Sequence, residues 1–155
     1  MRPVFISDID GTVANIEHRL HFIKGKDKDW DCFFAACPDD APIPETIELL
    51  KLLSRANLSL INSPKIIYIT GRDENTRTET QNWLNRNGCP VGPLYMRKSG
   101  DHRPDDVIKS EILDKLLNNG LDKESILGVF EDRANVVKMW RQRGLKVYQV
   151  NDGDF

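Results

Sequence analysis

The chain has 155 residues, of which 39% are hydrophobic and 30% charged, and its formal net charge is −2. That balance predicts one soluble globular domain over residues 1–155, and it excludes a disordered chain and the basic surface of a protein that coats long nucleic acid. No apolar stretch approaches the roughly 18 residues of a membrane helix, and acidic residues come too early in MRPVFISDID for a secretory leader, so the cytoplasm is expected and a membrane partner is not.

Residues 3–9 form a short apolar run closed by Asp8-Ile9-Asp10-Gly11-Thr12, which predicts a buried strand ending in a sharp turn. Residues 15–40 are irregular and rich in charge and aromatic side chains. Pro44 can open a helix that TIELLKLL continues over 45–56. PKIIYIT at 64–70 reads as a second strand, followed by Gly71-Arg72, and 73–87 as a polar-faced helix stopped at Gly88. A short strand is expected around 91–96, and an amphipathic helix over 105–119 ends at Gly120. SILGVFEDR predicts a strand ending in acids, ANVVKMWRQRG a helix ending at Gly144, and LKVYQV a last strand. Cys32, Cys37 and Cys89 form no CxxC pair and read as free thiols.

Alternating strands and helices predict a parallel sheet covered on both faces. Ligands of such sheets bind outside the carboxyl ends of the strands. Three strands end in polar punctuation, at Asp8-Ile9-Asp10, at Thr70-Gly71-Arg72 and at Glu131-Asp132, and in a parallel sheet these converge on one edge. Two carboxylates as close as Asp8 and Asp10 repel each other, so a cation or a proton held on one of them must offset the repulsion. Hard oxygen donors with no His or Cys cluster beside them favour Mg²⁺ over zinc, and Mg²⁺ in turn attracts phosphate. A carboxylate attacking a phosphate dianion meets a repulsion of about 4 kcal/mol at ~4 Å and an effective dielectric near 20. A divalent ion touching both groups removes that barrier. A second carboxyl with its pKa raised to about 6–7 can then serve as general acid–base.

Asp8-Ile9-Asp10-Gly11-Thr12 resembles the DxDGT motif of the haloacid dehalogenase (HAD) phosphohydrolases, and Thr70-Gly71-Arg72, Lys109 and Glu131-Asp132 resemble the family's further motifs in the expected order. GDHRPDDVIKSEI, FEDRANVVKMWRQRG and QVNDGDF are similar to the 3′-phosphatase domain of phage polynucleotide kinase-phosphatase, although no GxxxxGK[ST] kinase motif is present. The resemblance implies a three-layer, Rossmann-like α/β fold with a mostly parallel central sheet and a minimal cap or none. It implies Asp8 as nucleophile and Asp10 as general acid–base. It also implies Mg²⁺ held by the Asp8 carboxylate, the Asp10 main-chain carbonyl and Asp132. Thr70 and Gly71 would hold phosphate, Lys109 would neutralise it, and Arg19 and Arg72 would bind phosphate or substrate, with Asp105 supporting. The relatives carry Asp where this chain has Glu131, one methylene longer, which suits Glu131 to a supporting role through a metal-bound water.

Structural readings of the same residues stand beside these. Asp8 and Asp10 can form a capped turn, Thr70-Gly71 a turn after a strand, and Glu131-Asp132 can favour the dipole of the following helix. Lys109 and the Arg97-Lys98…Arg103 cluster can be solvated, and Trp30, Phe33, Phe34 and Trp140 are expected in the core rather than stacking on bases. The preferred function is a Mg²⁺-dependent phosphomonoesterase that removes 3′-phosphate from a DNA or RNA end or from a 3′-nucleotide. The second reading is a HAD nucleotidase or small-metabolite phosphatase, and the third a binding module that docks to a separately encoded kinase or ligase. Oligomeric state is open, a homo-oligomer included.

Overall fold

The structure is a computed structural model and describes residues 2–56 and 63–155. Its centre is β1 (Val4–Ser7), four buried residues paired in parallel with β4 (Lys65–Asp73) on one side and β6 (Ile126–Arg133) on the other. β5 (Leu94–Arg97) and β7 (Val147–Gly153) flank them, giving a parallel sheet of order β5-β4-β1-β6-β7. The chain builds outward from β1 to β4 and β5, then returns to the other side of β1 for β6 and β7. The reversal lies between β1 and β6, and the crevice outside their carboxyl ends is where this topology places ligands.

Period-two alternation divides the strand side chains between two cores. Val4, Ile6, Ile67, Ile69, Val129 and Val147 face α4 (Asp105–Asn118) and α5 (Ala134–Gln142), which contribute Ile108, Ile112, Leu113, Leu116, Val136, Val137 and Trp140. Phe5, Ile66, Tyr68, Leu94, Met96 and Phe130 face α2 (Pro44–Arg55) and α3 (Arg77–Arg86), through Ile47, Leu50, Trp83 and Leu84. The three-layer α/β architecture is therefore the one expected, with β-branched runs buried on both faces.

The stretch read as irregular has structure. β2 (Ala14–Asn15) and β3 (Ala41–Pro42) pair antiparallel, and the Ile43 N–H donates to the Val13 carbonyl at 2.7 Å. Between them lie a 3-10 turn (Glu17–Phe22), the short α1 (Trp30–Ala35) and a second 3-10 turn (Cys37–Asp39). Ile16, Ile23 and Phe33 give this excursion a small core of its own, against which Phe155 packs. Two strands outrun their sequence boundaries: β4 continues three residues past Thr70, and β7 reaches Gly153. Pairing resumes after irregularities, with Asp73 opposite Arg97 and Arg133 opposite Gly153. Such interruptions re-aim side chains at strand ends, and here they carry Thr70-Gly71-Arg72 and Asp132. No helix among the described residues is long and apolar enough to cross a membrane.

Candidate active site

Asp8 follows directly on β1, where its N–H donates to the Phe130 carbonyl of β6 at 3.0 Å. Ile9 is fully buried in the apolar core, and the N–H groups of Thr12, Val13 and Ala14 all converge on its carbonyl. This knot turns the chain sharply at Gly11, whose φ of +78° strains other residues and whose missing side chain leaves room for Asp132: a Cβ would lie 2.0 Å from Asp132 Oδ2.

Asp8, Glu131 and Asp132 are all buried, and one carboxylate oxygen from each lies within 4.8 Å of the others. Lys109 comes up from α4 as the cation beside them, 2.9 Å from Asp8 and 2.8 Å from Glu131. Its ammonium is 1% exposed because residue 109 falls on the stripe of Ile108, Ile112, Leu113 and Leu116 that faces the sheet. Glu131 is held further by the Trp140 indole N–H at 3.3 Å and by the Asp132 N–H at 3.2 Å. Among the described residues, the Asp132 carboxylate accepts one hydrogen bond, from the Thr12 hydroxyl at 3.4 Å. Burial, with Glu131 close by, pushes the Asp8 carboxyl well above the usual range, and the same two causes push Asp132 up to about 7. Three carboxylates sharing one ammonium form a hard-oxygen donor set with an excess of negative charge, and Mg²⁺ fits it.

Asp10 lies in a different electrostatic setting. Its Oδ1 accepts from Arg19 at 2.8 Å and from Arg72 Nε at 2.8 Å. Both guanidiniums also bind Asp40, each at 2.7 Å from Oδ2, and Arg19 Nε and His18 Nε2 meet Asp40 Oδ1 at 2.7 Å. Thr80 supports Arg72 at 3.2 Å, and the Phe33 ring lies 4.3 Å from the Arg19 guanidinium. Burial opposes the Asp10 charge, but Arg72 and Arg19 outweigh it and hold the carboxyl below its ordinary value. The expectation of crowding that raises Asp10 is thus corrected: the crowding falls on Asp8 and Asp132. Arg19 and Arg72, expected against phosphate or substrate, have no exposed surface and are committed to Asp10 and Asp40.

Thr70 is also fully buried, its hydroxyl accepting from the Arg72 N–H at 3.2 Å. Gly71 lines the cleft, and a Cβ there would lie 2.4 Å from Asp105 Oδ1. Asp105 opens α4, where it ion-pairs with Arg97 and, at 2.8 Å, with Arg133. Arg97 donates to the Gly71 carbonyl at 2.8 Å and to carbonyls of the following loop, so it is a buried pin rather than a solvated cation. A cleft of about 250 Å³ runs over these groups, with Asp8 and Asp10 at its base and Trp30, Phe34, His102, Arg103 and Phe155 around it. Trp140 and Phe33 are in the core as expected, whereas Trp30 is on the cleft wall. Asp40 is the site residue that sequence reasoning missed. Its signal, one acid in CPDDAP, is indistinguishable from turn punctuation until the fold brings Arg19 and Arg72 to it.

The profile of the polynucleotide kinase PNKP phosphatase domain, a HAD group, matches residues 2–155. A protein of Autographa californica nuclear polyhedrosis virus, named as a bifunctional polynucleotide kinase/RNA ligase, is 30% identical over 138 residues, covering 88% of this chain and 17% of its own. In a Pnkp1/Rnl/Hen1 RNA repair complex, one chain superposes with a TM-score of 0.79 at 27% identity, over 99% of this chain and 44% of that one. A class C acid phosphatase from Bacillus anthracis, solved with tungstate bound, shares the fold with a TM-score of 0.66 at 17% identity, over 99% of this chain and 68% of its own. This chain therefore spans less than half the length of the two polynucleotide-repair relatives.

Proposed function

The chain belongs to the PNKP phosphatase-domain family of HAD phosphatases, and from that premise we propose that it is a Mg²⁺-dependent phosphoric monoester hydrolase that removes 3′-phosphate from polynucleotide ends. The observation that carries the reading is Asp8: a buried carboxylate at the base of an open cleft, ion-paired to Lys109 and grouped with Glu131 and Asp132. A substrate phosphate that reaches the base of the cleft would meet Asp8. Attack by its carboxylate on phosphorus would form an aspartyl-phosphate and release the nucleoside hydroxyl. Lys109, fixed between Asp8 and Glu131, keeps the attacking oxygen oriented and balances part of the charge gathered there.

Asp10 would supply the proton to the leaving oxygen and then take one from the water that cleaves the acyl phosphate. Its two guanidinium partners favour the ionised form, which suits the second step. An incoming phosphate dianion opposes those guanidiniums and favours the proton needed for the first. Arg19, Arg72 and Asp40 are then positioning residues that act through Asp10. Gly71 lines the cleft with Thr70 buried behind it, and Asp105 fixes Arg97 and Arg133 at its rim. Asp8, the Asp10 carbonyl and Asp132 would hold Mg²⁺, with Glu131 behind them. When bound, the ion supplies charge neutralisation and alignment of the phosphate.

The kinship to repair proteins supports a polynucleotide end as substrate, and a separately encoded kinase or ligase as partner. Phosphate release with Mg²⁺ from a 3′-phosphorylated oligonucleotide, a 5′-phosphorylated one, and 3′- and 5′-mononucleotides tests the reading, with Asp8→Asn as control. Strong preference for the 3′-phosphorylated oligonucleotide is expected. Equal or faster turnover of mononucleotides would make the protein a nucleotidase.

A further inference from the structure

The aromatic residues at the cleft are held in place, yet one of them is left open. Trp30 opens α1, whose first turn is fixed by the Cys32 N–H donating to Asp29 Oδ1 at 2.9 Å. Its indole packs edge-on to the buried Phe33, with centroids 5.6 Å apart and planes at 85°, and stacks with Phe34 at 6.0 Å and 29°. It still keeps 40% of its surface exposed, beside the same cleft that holds Asp8 and Asp10. The other two tryptophans, Trp83 and Trp140, are fully enclosed, with their N–H groups bonded to the Asp40 carbonyl and to Glu131. Core packing therefore accounts for those two and not for Trp30.

The rest of the cleft narrows the choice of ligand. His102 and Arg103 line it too, so it is not an apolar socket. Lys28, itself exposed, sets its ammonium 5.8 Å from the Trp30 ring centre. Arg103 is itself ion-paired with Asp101 and Glu111, so the open features of the cleft are the aromatic wall and the acid at its base. A ligand that fits presents a flat π-face to the first and a phosphomonoester to Asp8, and a nucleotide at the end of a chain has both. We infer that Trp30, backed by Phe34, is a stacking subsite for the nucleobase of the terminal nucleotide whose phosphate lies over Asp8.

The inference rests on the phosphatase reading and deepens it. Stacking on an aromatic side chain is tolerant of base identity, so the subsite distinguishes a base from no base rather than one base from another. The first test compares kcat/KM for a 3′-phosphorylated oligonucleotide with that for the same strand ending in an abasic 3′-phosphate. Wild type is expected to prefer the base by about tenfold, mostly through KM, consistent with the strength of base–aromatic stacking. In Trp30→Ala the ratio of the two substrates is expected to fall to within about twofold, and Trp30→Phe to recover part of it. A wild type indifferent to the base, a Trp30→Ala variant that keeps the full preference, or faster release from a phosphotyrosyl peptide would each overturn the subsite.

A second test does not depend on turnover. In Asp8→Asn, titration with a 3′-mononucleotide is expected to quench tryptophan fluorescence, ribose 3-phosphate to leave it unchanged, and Trp30→Phe in that background to abolish the response. Quenching without turnover in wild type would refute the phosphatase reading and retain the subsite. Turnover without base-dependent quenching would do the reverse.

Discussion

Two buried charge clusters lie side by side at the carboxyl edge of the sheet, and their balance is opposite. Around Asp8, three carboxylates share the single ammonium of Lys109. Around Asp10, two carboxylates share the two guanidiniums of Arg19 and Arg72, with His18 at the edge. The first is short of positive charge, so Asp8 and Asp132 are pushed toward the protonated form and the group favours a divalent cation. The second is matched and hydrogen-bonded throughout, so it holds Asp10 ionised and in one orientation. Two acids separated by one residue at the same strand end thus differ in setting because different elements reach them: α4 brings the lysine, and the excursion after β1 and the end of β4 bring the arginines.

The sharpest break of this comparison is to neutralise one acid in each cluster. Asp8→Asn is expected to lower kcat by at least about 10³-fold, because an amide is a poor nucleophile. It should also leave thermal stability equal or higher, since one carboxylate has gone from a cluster with too many. Unchanged turnover of a phosphomonoester would remove Asp8 as nucleophile. Asp40→Ala should do the opposite to the fold, costing about 3–5 kcal/mol in urea unfolding, because it leaves two buried guanidiniums with one carboxylate. In the protein that still folds, kcat should fall by up to about 10²-fold as Asp10 loses its orientation, with KM moving less. A silent Asp40→Ala would mean that the matched cluster is dispensable.

The pH dependence of stability separates the clusters next. The Asp132 carboxyl is raised from an ordinary 3.8 to about 7, so within that window the folded state keeps a proton that the unfolded chain has released. Stability from this group is present below about pH 4 and lost as pH rises toward 7. Asp10 has the opposite sign: held below its ordinary value, it contributes above about pH 4 and is lost on acidification. In metal-free buffer Tm should therefore fall between pH 5 and pH 8, Asp132→Asn should flatten that fall, and millimolar Mg²⁺ should recover part of it at pH 8. An identical profile in wild type and Asp132→Asn would contradict the crowding of the first cluster. The smallest effect is expected for Glu131→Asp. Shortening by one methylene withdraws the carboxylate from the Trp140 N–H and from Lys109, at about 1 kcal/mol per hydrogen bond lost, read by urea unfolding.

Much of the site was legible one residue at a time. Asp8 and Asp132 stood out because each breaks a local pattern, an acid ending an apolar strand and an acid closing a second strand, whereas Lys109 was singled out through the family resemblance alone, since on an amphipathic helix it also reads as solvated. Asp40 broke no pattern, because an acid before a proline-rich helix start is ordinary. Arg19 and Arg72 were candidates through the family resemblance, but their burial was not legible, since arginine in a polar segment reads as solvated. Trp30 was read with the core because a tryptophan just before Phe33 and Phe34, in a segment rich in aromatics, is more often packed than open.

The sequence by itself determined the order of strands and helices, because burying both faces of a parallel strand requires an uninterrupted apolar run and a crossover helix. It also determined the acids at the strand ends, which have no place inside such runs. Only the tertiary structure decided how the charges are shared. Whether Asp10 is crowded by carboxylates or clasped by guanidiniums depends on residues 9, 30 and 62 positions away in the chain. Electrostatic energy depends on distance in space, and local patterning carries no record of contacts made at that range.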